Sequence, residues 1–145
     1  MTRQKEREIF AKALEWHVGE EERILEEYRT LTSRLKGSSV SLLTDLILTD
    51  EDHHHALLQK MVKKLREPAG GKTRGTLEDD NIEGLLQETR KLREHEKETV
   101  QVCRKLKSQM NIKEPELFEA ILDALIFDSE KHQRLLLAVE KTIKP

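Results

Sequence analysis

The chain has 145 residues, enough for one buried core and short of two. Only 3% of residues are aromatic and 37% are charged, a balance that suits long amphipathic helices better than strands, which favour β-branched and aromatic side chains. The 26 basic and 28 acidic residues nearly cancel, so no strong field draws nucleic acid or an anionic membrane, and neither is expected as a partner.

The apolar runs are far shorter than the ~20 residues a transmembrane helix needs. The opening MTRQKEREIF lacks the apolar stretch of a secretory signal, and the single cysteine, Cys103, excludes an internal disulfide. A soluble, cytoplasmic protein is the expectation.

In chain order, apolar residues recur at steps of three and four through Leu14, Ile24, Tyr28 and Leu31, predicting a first helix. KGSS follows, with a glycine to end that helix and serines to cap the next. A second helix carries Leu43, Ile47, Leu57, Leu58, Met61 and Leu65. So short a connection predicts an antiparallel hairpin over about residues 3–66. REPAGGKTRG then marks a crossover over about 67–78. Its GGKT lacks the spacing and preceding strand of a phosphate-binding loop. A third helix runs from about Asp79 to Gln109, and Pro115 opens a fourth that reaches Ile143, giving a second hairpin over about 79–143. The predicted fold is all-α: a single antiparallel four-helix bundle domain, 1–145, made of two helical hairpins.

The hairpins repeat. At a constant offset of 78 residues, without a gap, Leu14 matches Leu92, Ile47 matches Leu125, Leu57 matches Leu135 and Met61 matches Val139. Any two amphipathic hairpins share an apolar period, so the polar matches carry more information: His17 with His95, Asp50 with Asp128 and His54 with His132.

At ~100° per residue, His54 falls on the line of Ile47, Met61 and Leu65, with Asp50 and Glu51 flanking it. His53 and His55 lie about 100° to either side, so His54 is the expected inward histidine of TDEDHHHALL. The same arithmetic puts His17, Glu21 and Tyr28 on the apolar face of the first helix, His95 and Thr99 on that of the third, and Asp128 and His132 on that of the fourth. Buried carboxylates must pair, bind an ion or reach water.

Carboxylates and histidines converging inside four helices, with Glu51 and His54 forming Glu-x-x-His in the second, resemble the ferritin-like superfamily of ferritins, bacterioferritins and rubrerythrins over essentially the whole chain. Glu21 stands seven residues before Tyr28, as the family's first-helix ligand precedes its tyrosine. ILTDEDHHHALL and IFDSEKHQRLL look like second-helix motifs of small bacterial members. The resemblance implies bound iron or manganese, as one or two ions, and a role with oxygen, peroxide or iron. Glu21, Glu51 and His54 are the expected principal ligands, with Asp128, His132 and His95 completing the other side, His95 being a nitrogen ligand that an ordinary member of the family does not have. The second half departs from the pattern: Thr99 replaces the counterpart of Glu21, and Ser129 that of Glu51. Hydroxyls neither bridge nor neutralise two divalent ions, so the expected site is asymmetric or holds a single ion.

The alternative is a non-enzymatic bundle in which Asp50, His54, Asp128 and His132 form a buried His-Asp network and function lies in association with another protein. HVGEE, with His17 and Glu21 four apart, also suits a hemerythrin-like reading, for which the chain has too few histidines. The sequence permits a homodimer and identifies no protein partner.

Overall fold

The computed structural model describes residues 2–68 and 81–144. Its long elements are the α-helices α1 (Arg3–Arg34), α2 (Ser41–Arg66), α3 (Ile82–Ser108) and α4 (Pro115–Ile143), and no strand occurs among the described residues. Apart from Glu67 and Pro68, the expected crossover lies outside the described residues. No described helix is long and apolar enough to cross a membrane.

The helix ends follow from local chemistry. Thr2 caps α1, its hydroxyl accepting from the Lys5 backbone N–H at 3.2 Å. Gly37, at φ 90°, takes the left-handed conformation that turns the chain after α1. The expected serine cap of α2 is replaced by a tighter device. Val40 occupies the cap position with no side-chain bond, and Ser38 accepts from the Val40 N–H at 3.2 Å. Three-residue turns from Ser38 onward wind the chain into α2, so its first donors are met by backbone carbonyls. At α4, Pro115 opens the helix as expected, its fixed φ suiting a first turn where a missing N–H costs nothing.

The chain forms two compact units, Met1–Gly71 and Lys72–Pro145, each containing one helical hairpin. In the first, α1 packs on α2. The Arg7 guanidinium donates to the Lys64 and Leu65 carbonyls at 2.9 and 3.0 Å, in the last turn of α2, where the Lys64 carbonyl also accepts from the Glu67 N–H at 3.2 Å. Arg66 returns the contact by forking onto Glu8 at 3.0 and 3.2 Å and pairing with Glu15. That hydrogen bond holds the Glu8 carboxyl below its ordinary range. In the second unit α3 packs on α4, and the pairs Arg93–Glu140, Glu96–His132, Arg104–Glu130 and Lys107–Asp123 run in opposite order along the two helices. Both hairpins are therefore antiparallel, as predicted.

Each hairpin closes along a heptad-like seam of three- and four-residue steps. On α2 the seam is Thr44, Leu48, Glu51, His55, Leu58, Val62 and Leu65, all buried or half-buried. The repeat carries this register to α4 as Leu122, Ile126, Ser129, Gln133, Leu136, Glu140 and Ile143. Val100, Cys103, Ile126 and Leu122 make the main apolar cluster of the second hairpin. On α1, Ala11 and Leu25 are almost fully enclosed.

A second stripe, one residue removed, stays open on each hairpin. Ile47, His54, Leu57 and Met61 line it on α2, and their repeat counterparts Leu125, His132, Leu135 and Val139 line it on α4. Leu57 and Leu135 are each 56% exposed. Within its hairpin, His54 lies on this open stripe, and His55 enters the seam. The apolar surface of α2 is wide enough for two seams. A wheel centred on its most hydrophobic line finds the open one, whereas α1 packs beside it.

Candidate functional site

The chemistry-bearing side chains of the first hairpin gather around Glu21. Helix α1 places His17 one turn before it, and the His17 Nε2 stands 3.3 Å from Glu21 Oε1. Helix α2 brings His55 across the seam, its Nδ1 3.9 Å from Glu21 Oε2 and its Nε2 3.7 Å from Glu22 Oε1. The Glu21 and His55 side chains are each only 14% exposed, while His17 is open to solvent. Glu21 Oε2 and His55 Nδ1 are both enclosed without a hydrogen-bond partner. Two such atoms facing one another over a gap too long for a hydrogen bond are unusual, because enclosed polar atoms are nearly always paired.

Glu51 and His54 keep company along α2, with His54 Nδ1 3.7 Å from Glu51 Oε1. Glu51 is half-buried in the seam and His54 is exposed. Of the three expected ligands in this half, the hairpin therefore holds Glu21 and Glu51 in its seam and turns His54 onto the open stripe. His55 is the residue that sequence reasoning set aside. The signal that could have found it was the heptad register through Leu48 and Val62, which passes through position 55.

The second hairpin spends the matching positions differently. His132 Nδ1 faces Glu96 at 3.4 Å, and Asp128 accepts from Lys131 at 3.3 Å. His95 lies on the exposed side of α3. Thr99, standing where Glu21 stands in the first half, donates its hydroxyl back to the His95 carbonyl at 3.1 Å, and Ser129 is buried in the seam. No acid occupies either place, so this half does not fit the carboxylate set of a two-metal centre.

Among the described residues, no group of three or more His, Cys, Asp or Glu side chains stands ready arranged to hold a metal ion. The first half nevertheless fits the donor chemistry of one: carboxylate and imidazole on two helices, with two enclosed lone-pair atoms lacking partners. Comparison with protein-family models, with curated proteins and with solved structures gives no match to this chain.

Proposed function

We propose that this chain is a ferritin-like metal-binding helical bundle that holds one transition-metal ion, iron or manganese, at Glu21. The observation that carries the reading is the enclosed Glu21 carboxylate, flanked by imidazoles and left with an unpartnered oxygen. A carboxylate in that position is costly unless a cation compensates it. Glu51, in the same seam, is the second acid of the set. The resemblance supplies His54 as its nitrogen donor. Bound iron or manganese would supply Lewis-acid or redox chemistry toward oxygen or peroxide. This chain's own residues bind the ion, set its charge and limit the approach of water.

Each hairpin also carries an open apolar stripe, and the two stripes repeat position for position. Two helices alone bury a single line of side chains, too little for a stable domain of this kind. The same stripes favour the second reading, a non-enzymatic bundle that works by associating with another protein or a second copy of itself. Metal content separates the two.

Untagged protein reconstituted with Fe(II) or Mn(II) and freed of excess ion should retain close to one ion per chain, and the Glu21→Gln variant, of the same shape, should retain little. A natural protein that holds no metal after reconstitution would overturn the proposal.

A further inference from the structure

We infer that the nitrogen donors of the Glu21 site are His17 and His55, making a two-histidine, one-carboxylate set for a single divalent transition-metal ion within the first hairpin. The inference rests on the reading above for the presence of an ion at Glu21. It goes further in assigning the imidazoles, which that reading left with His54.

Three observations carry it. First, both imidazoles stand near the separations an ion would impose. Nitrogen and oxygen ligands lie ~2.0–2.2 Å from zinc or a similar ion and hence ~3.3–3.6 Å from each other at tetrahedral angles. His17, at 3.3 Å from one Glu21 oxygen, falls in that range, and His55, at 3.9 Å from the other, must close by a few tenths of an ångström to enter it. The second gap exceeds the ~2.7–2.9 Å of a charge-assisted hydrogen bond, and no hydrogen bond is formed there.

Second, His55 has the neighbours of a metal-binding imidazole. Its Nε2 side faces the Glu22 carboxylate at 3.7 Å. A carboxylate on that side can take an N–H from Nε2, the tautomer in which Nδ1 presents its lone pair to Glu21. In that tautomer two lone pairs face one another, and a cation removes the conflict.

Third, His17 and Glu21 are four residues apart on α1, a spacing that puts both donors on one helix face. Closing the set asks for rotation of the His17 ring, which is 54% exposed and has solvent on its free side. His54 is also exposed, but it is on the open stripe and its near neighbour is Glu51. Two imidazoles and one carboxylate leave coordination positions free and suit Zn(II), Co(II), Fe(II) or Mn(II).

The test titrates the full untagged chain with Co(II), following its visible ligand-field bands, for the natural protein and for His17→Ala, His55→Gln, His54→Ala and Glu21→Gln. Expected are losses of affinity of about tenfold or more for the His17, His55 and Glu21 variants, with the His54 variant within about twofold of the natural protein. Because His55 lies in the seam, a second measurement uses the natural protein alone: Zn(II) should displace the ring resonances of His17 and His55 and leave those of His54 in place. If the His54 and Glu21 variants lose the ion while the His17 and His55 variants keep it, the inference falls and the function proposed above stands. If the natural protein binds neither ion, both fall.

Discussion

Glu140 stands at the repeat position of Val62 and is just as enclosed, at 7% exposure against 8%. Arg90 reaches one of its oxygens at 2.9 Å, and Arg93 stands 3.1 Å from the other. Removing one partner of an enclosed ion pair is costly, whereas replacing the buried charge by an apolar side chain of the right shape is often neutral. Glu140→Gln should therefore lower stability by about 1–2 kcal/mol. Glu140→Val, which copies the first hairpin, should stay within about 0.5 kcal/mol of the natural protein, because both arginines can extend into water. Urea unfolding of the two variants checks the contrast. A glutamate in a charged helix reads as solvent-facing from sequence, and only the register of α3 against α4 exposes this one. The same limit hid His55. Glu21, by contrast, was legible, because its distance from Tyr28 and its place on the apolar face do not depend on which neighbouring helix covers it.

At the scale of the helix, the informative fact is that α2 and α4 each carry two seams one residue apart. Periodicity finds the helices, Pro115 marks the start of α4, and the expected first-hairpin bound at about 66 falls at the end of α2. Periodicity cannot say which of two adjacent seams a hairpin fills, since both are apolar and both step by three and four. The serine cap failed for a related reason: KGSS holds the right residues, but the turns that follow Ser38 meet the donors with backbone first. The open seam provides its own test. On a free hairpin, Leu57→Glu changes a side chain that is 56% exposed and should cost under about 0.5 kcal/mol. Where another apolar surface covers the stripe, the same change buries a charge and should cost about 2–4 kcal/mol. Association through the stripe predicts the larger loss, read as a shift in the urea midpoint at unchanged slope. The smaller loss would count against a covered stripe.

For the molecule as a whole, duplication accounts for both what is alike and what is not. The two halves keep the same seams, the same open stripes and the same His54/His132 pair, so the all-helical plan was readable from the 78-residue repeat. They differ where chemistry is at stake. The first half keeps Glu21, Glu51 and His55 in its seam, and the second has Thr99, Ser129 and Gln133 in the matching places. One half thus carries a set of ionisable donors, and the other has neutral side chains at the matching places together with the Glu140 ion pair. The donor set of the first half is proposed to bind an ion through imidazole as well as carboxylate. X-ray absorption of the Zn(II)-loaded, untagged chain tests it most directly. The account predicts a first shell of light donors at ~2.0–2.2 Å with the outer scattering of two imidazole rings. A shell of oxygen alone, with no imidazole scattering, would contradict it.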